Sequence, residues 1–209
     1  MDYSYQNPVR AKKLIDKYNT LGLRLYWAYA NQAMIWNMDW EKREYTKLGF
    51  MLRAKLFKQL REGRAAPRTF QIDLQQKLMQ RPMCTYCGNS NLEELSMDHI
   101  FPISKGGEDT ADNLIWACKS CNSSKNATDM LEWHYINKSF PGLFLYRNYM
   151  KLAVEYSVKQ NLMDEQLANL DVDTMPFNPH FLPTIFPEAC DIYTNFENIS
   201  WYDVDVERA

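Results

Sequence analysis

No stretch of this 209-residue chain is apolar for long enough to cross a membrane. Its most apolar window, Leu21 to Trp36, is too short for a span and holds Arg24 inside it. Met1 to Asn7 is polar and lacks the apolar segment of a secretory leader. These absences predict a soluble, cytoplasmic protein. Cysteine is sparse, with five in all, and the count is odd, which argues against a disulfide framework. Histidine is sparser still, at three residues; His134 and His180 read as packing or surface residues. Internal repeats, low-complexity tracts and stacking motifs of the RNA-module type are all missing. Nor is there a motif that would read base edges.

What is present supports a packed core, because 46% of residues are hydrophobic and 14% aromatic. The net charge of −2 hides an uneven balance. From Glu41 to Arg68 the cations are Lys42, Arg43, Lys47, Arg53, Lys55, Lys58, Arg61, Arg64 and Arg68, against Glu41, Glu44 and Glu62. From Asn161 to the end, ten acids face Arg208. A basic front half and an acidic tail follow, and phosphates are expected at the front.

Leu14, Ile15, Tyr18, Leu21, Leu25, Tyr26 and Tyr29 recur at helical spacing, which predicts a helix from residue 9 to about 37. Asp39 is a candidate N-cap for a second helix ending near Glu62, with Tyr45, Leu48, Leu52, Leu56 and Leu60 as its apolar stripe. Its basic residues fall largely between those positions. Further helices are predicted at about 73–80, 127–137 and 143–160, with a short one near 164–170. The expected division is 1–68, a basic helical region; 69–137, the central motif; and 138–209, a helix and an acidic tail rich in Pro and aromatics.

The centre of the chain opens with CTYCG and closes with MDHIFPISKGGEDTADNLIWACKSCNSSK. Cys84, Cys87, Cys118 and Cys121 form two Cys-x-x-Cys pairs, the spacing of a four-thiolate structural zinc site. Four thiolates leave no open position, so that metal would hold structure and do no chemistry. Cys190 is left over and reads as a small buried hydrophobe. Between the pairs, Leu95 to His99 reads as a strand, Pro102 to Asp112 as a loop with Gly106 and Gly107, and Leu114 to Ala117 as a second strand. A helix carrying Asn122 and Lys125 begins at Cys118.

This stretch resembles the HNH endonuclease superfamily in its zinc-ribbon form. Asp98-His99 at the strand end, Asn113 after the loop and Asn122 on the helix make an HNN variant. Ile100, Pro102, Gly106, Gly107, Leu114 and Lys125 also fit. The resemblance implies an α+β fold: a mostly helical chain around a small ββα-metal motif stapled by the four cysteines. It also implies DNA cleavage leaving a 5′-phosphate and a 3′-hydroxyl, in a setting such as restriction or antiviral defence.

The residue types suit that chemistry. A neutral imidazole near pH 7 can take a proton from water, so His99 is the candidate general base. A hard cation, Mg²⁺ or Mn²⁺, needs oxygen ligands, which Asp98 and the amide of Asn122 supply. By resemblance Asn113 ties the loop backbone and helps aim His99. Lys125 is a candidate phosphate contact, as are Lys55, Lys58 and Arg61 on the basic helix. Neighbouring strand residues point to opposite faces, so Asp98 and His99 share a site only where the strand ends or bulges. Two other readings stay open. One is a non-catalytic zinc-ribbon subunit of a larger complex, its acidic tail docking a protein partner or covering the basic face. The other keeps the chemistry with RNA or branched DNA as substrate. Double-strand cutting would suit a homodimer.

Overall fold

The computed structural model describes residues 16–68, 82–184 and 186–187. Within them the chain mixes helices with two small antiparallel strand pairs, an α+β arrangement. The first full helix, α1, is Leu21–Ile35. It starts later than its periodicity suggests. Thr20 is extended (φ −90°, ψ 155°) and its hydroxyl accepts from Leu23 N at 3.4 Å. Leu21 N and Gly22 N donate to Glu165 O and Met163 O, at 2.9 and 2.8 Å, and Leu167 N donates to Asn19 O. A distant segment therefore satisfies the amides that a continuous helix would have kept for itself. Residues 9–15 of the predicted helix lie outside the described residues.

Asp39 does not cap the second helix. It lies in β1 (Met38–Asp39), paired with β2 (Glu44–Tyr45), and its carboxylate accepts from Lys42 N across the intervening turn. The helix, α2, is Lys47–Arg61, and Thr46 caps it by accepting from Gly49 N at 3.1 Å. Its buried face keeps Leu60 of the expected stripe but departs from it at Leu48 and Phe57. Gly49, Phe57 and Leu60 are buried, whereas Leu48 is 54% exposed. Phe57 meets Tyr18 and Trp27 edge-on, and the Arg53 guanidinium lies over Trp27 at 4.7 Å.

The central motif contributes β3 (Leu95–His99), β4 (Leu114–Cys118) and the short helix α3 (Lys119–Lys125). A second short helix, α4 (Met130–Ile136), follows, and α5 (Leu143–Lys159) then forms the backbone of the core. Helix α1 packs against both α2 and α5, with Tyr146 OH donating to Ala28 O at 2.8 Å. The motif docks on α5 through the turn Ala111–Asn113 and the ion pairs Lys151–Asp112 and Lys159–Glu108. Phe101 packs edge-on to Tyr149 and stacks on Phe177. One buried apolar cluster thus runs from Tyr18 through Ile100, Phe101 and Ile115 to Phe186. The helix predicted near 164–170 is a single 3-10 turn, Leu167–Asn169. No helix among the described residues is long and apolar enough to cross a membrane. The helix expected at 73–80, Cys190 and the end of the acidic tail lie outside the described residues.

Candidate active site

The four paired cysteines converge. Cys84 and Cys87 flank a tight turn closed by Gly88 N donating to Cys84 O at 2.8 Å. Thr85 N ties that turn to Trp116 O on β4, and Cys118 caps α3. All four sulfurs lie within 4.8 Å of one another. A tetrahedral ion with bonds of ~2.3 Å would set its sulfurs ~3.8 Å apart, and Cys87 Sγ is 3.8 Å from Cys118 Sγ. Burial pushes the Cys87 and Cys121 thiols up, with Cys84 adding to both, whereas hydrogen bonds from the Cys121 amide and the neighbouring thiols bring Cys118 down against its burial. Four thiols resist ionising together in so small a volume unless a cation joins them, so the donor set and its spacing fit a thiophilic metal.

Beside this cluster, β3 runs antiparallel to β4 in a ladder from Leu95↔Cys118 to His99↔Leu114. The ladder ends at His99 without a bulge, and Asp98 and His99 leave it in different directions. Asp98 is buried, with Oδ2 accepting from Tyr86 OH at 2.7 Å and facing Lys125 Nζ at 3.2 Å. Its Oδ1 accepts from His99 N at 2.8 Å. The His99 side chain is 29% exposed and reaches the loop, where Nε2 meets Asp109 Oδ1 at 3.0 Å. A carboxylate can only accept, so Nε2 carries a proton; in the neutral ring the lone pair is then on Nδ1.

Helix α3 lies across β3. Asn122 Nδ2 donates to Ser96 Oγ and Met97 O at 3.2 and 3.3 Å. A backbone carbonyl only accepts, which fixes the amide with its NH₂ on the strand. One turn on, Lys125 covers Asp98 and His99. Its placement corrects the expectation of a phosphate contact. Lys125 is completely buried, with Nζ donating to His99 O at 2.9 Å beside Asp98. Burial pulls the ammonium below the ordinary lysine range, against the Asp98 charge. A lysine so enclosed cannot reach a phosphate.

Asn113 is 1% exposed and holds the loop. Its Oδ1 accepts from Phe101 N at 2.8 Å, and its Nδ2 donates to Phe101 O and Glu108 O at 2.9 and 2.8 Å. The loop also needs both its glycines. Gly106 has φ 89°, in the left-handed region. A Cβ on Gly107 would stand 2.1 Å from Phe101 O.

Lys55, Lys58 and Arg61 lie on α2. Lys58 pairs with Glu62 at 3.9 Å and Arg61 lies over the Phe57 ring. His134 is buried between Tyr86 and Trp133, where it packs. Two residues of the site escaped sequence reasoning. Tyr86 sits inside the first Cys-x-x-Cys pair, and that position beside a metal ligand was its one signal. Asp109 is one of several loop acids, and nothing in its spacing singles it out.

Residues 84–128 match the family model for the HNH endonuclease. Over 66 residues, 26% of this chain, the sequence is 35% identical to the type IV methyl-directed restriction enzyme EcoKMcrA of Escherichia coli (strain K12). Over 86 residues, 38% of this chain, it is 34% identical to the CRISPR-associated endonuclease Cas9 of Corynebacterium diphtheriae. The matches span 24% and 8% of those relatives' lengths. No solved structure matches the chain. The central stretch of this chain, residues 84–128, is therefore similar to the HNH endonucleases.

Proposed function

We propose that the chain is a metal-dependent endonuclease that hydrolyses DNA phosphodiester bonds, leaving 5′-phosphate and 3′-hydroxyl ends. The supporting observation is the amide of Asn122, whose NH₂ is committed to the carbonyl of Met97, the neighbour of Asp98, which leaves Oδ1 for a cation. Asp98 and Asn122 Oδ1 are the oxygen donors for Mg²⁺ or Mn²⁺, a set that fits a hard cation. When bound, such an ion supplies charge stabilisation at the phosphoryl oxygens and the leaving oxygen. His99 takes the proton of the attacking water at Nδ1, while Asp109 holds Nε2–H. Asn113 keeps the loop folded behind His99. The four cysteines hold Zn²⁺ and join the entrance of the motif to its exit. Lys55, Lys58 and Arg61 on α2 contact the DNA backbone, and residues 1–68 and 138–209 flank the nuclease domain as substrate-gripping and regulatory parts. A role in restriction or antiviral defence accords with the names of the two relatives.

One observation favours the alternative of a non-catalytic zinc module. Both Asp98 oxygens already accept hydrogen bonds within the protein. Purified protein incubated with plasmid, with and without Mg²⁺ and beside His99→Ala, separates the two readings. The endonuclease cuts only with metal and loses about 100-fold or more in the mutant. Equal inactivity of both proteins, folded and zinc-loaded, supports the module.

A further inference from the structure

We propose that Tyr86 is a positioning residue that couples the cysteine cluster to the carboxylate of Asp98. The inference rests on the nuclease reading above and adds a residue that neither family spacing nor chemistry had singled out.

Tyr86 stands in the two-residue gap between Cys84 and Cys87. Its backbone is therefore set by two sulfur ligands, and the turn is further pinned through Thr85 N to β4. The ring leaves this turn towards the protein interior. It packs edge-on to Trp133 at 5.2 Å and lies 6.0 Å from the His134 ring. Only the hydroxyl goes further, donating to Asp98 Oδ2 at 2.7 Å. A tyrosine has few rotatable bonds, so a clamped ring delivers its O–H to one place.

Asp98 is held at both oxygens. Oδ1 takes the His99 amide, and Oδ2 takes the phenol with the Lys125 ammonium beside it. These contacts fix the rotation of the carboxylate, and the rotation decides where a bound cation can sit. Lys125, buried on α3, divides its ammonium between Asp98 and His99 O. Without the phenol, Oδ2 keeps only that shared partner. An ion held by the four cysteines would thus bear on the cleavage site through one O–H bond, and the cluster would do more than close a loop. Hydrogen-bond partners of this kind typically change metal affinity or activity by about 10- to 100-fold when removed.

Tyr86→Phe tests this, because the ring and its packing on Trp133 stay. The full chain is purified with zinc, and zinc content and melting temperature are compared with wild type; both should be retained. Mn²⁺ binding followed by electron paramagnetic resonance should weaken about tenfold. In the cleavage assay, kcat should fall while KM for DNA is kept. The His99 amide should lose protection from hydrogen exchange, since its acceptor is freed to rotate. A second measurement reads the coupling itself. Replacing zinc by the larger cadmium should shift the His99 amide resonance in wild type, and by less than half as much in Tyr86→Phe. Unchanged Mn²⁺ affinity and His99 protection in Tyr86→Phe would overturn the proposal, as would equal cadmium shifts in the two proteins. A wild type that cuts no DNA defeats the nuclease reading instead, and the amide measurements still decide this one.

Discussion

Asn113 commits its whole amide to backbone partners: Phe101 N, Phe101 O and Glu108 O. Removing it leaves three buried or half-buried backbone groups unpaired, so Asn113→Ala is expected to cost about 3 kcal/mol of unfolding free energy, measured by urea titration. An effect under about 1 kcal/mol would mean that water replaces the amide. The convergence of the four cysteines was legible in the sequence because they form two pairs with strict spacing. Lys125 was not. Its spacing from Asn122 suggests an exposed helix face, but Asp98 and the His99 carbonyl draw it inward. A buried lysine becomes visible only once the strand that neutralises it is placed beneath the helix. The same holds for Tyr86, whose partner lies twelve residues away.

At the scale of elements, the loop between β3 and β4 is the most sharply constrained. Phe101 O approaches Gly107 so closely that Gly107→Ala must displace backbone, not a flexible side chain. The expected result is a loss of about 2 kcal/mol or more in stability. Cleavage should fall further than stability alone explains, because the loop carries Asp109 to His99. Thermal melting and the plasmid assay check the two parts. Strand, loop, strand and helix were readable here because turn residues and cysteines mark every boundary. The N-terminal helices were harder. Asp39 and Thr46 are both good caps, and the choice fell to Thr46 because residues 38–45 fold back as a hairpin. The exposure of Leu48 has a similar origin. α2 turns Phe57 towards the Tyr18–Trp27 stack, and the periodicity that places Leu60 inside does not single Phe57 out.

Across the whole molecule, two buried groups set opposite pH responses. Burial raises the Asp129 carboxyl to about 6, despite bonds from Glu132 N and Tyr149 OH. Between its ordinary value of 3.8 and about 6, the folded state holds a proton that the unfolded state has lost. That contribution stabilises in acid and disappears as pH rises through about 6. His134 works the other way. Burial lowers it from 6.5 to about 3, so its contribution is present above 6.5 and disappears as pH falls towards 3. Between about pH 4 and 6 the two slopes oppose each other. Asp129→Asn should remove the first and leave the second. Its unfolding free energy should then climb with pH across that window more steeply than wild type, by about 1.4 kcal/mol per pH unit. Parallel curves from urea titrations would show that Asp129 is ionised in the fold.

The basic helix gives a second test at this scale. Replacing Lys55, Lys58 and Arg61 by Glu should weaken DNA binding and reduce the salt slope by roughly 1 for each phosphate no longer neutralised. An unchanged slope would remove α2 from the DNA interface. The arrangement of the molecule, with helices packed around one small motif, matters to function only if that motif holds a cation on the oxygens of Asp98 and Asn122. Anomalous diffraction from crystals soaked in Mn²⁺ locates that ion directly. The account predicts a peak within about 2.3 Å of both an Asp98 oxygen and Asn122 Oδ1, with the His99 ring facing it. A peak only at the cysteine cluster or among the loop carboxylates, with the space between Asp98 and Asn122 empty, would contradict it.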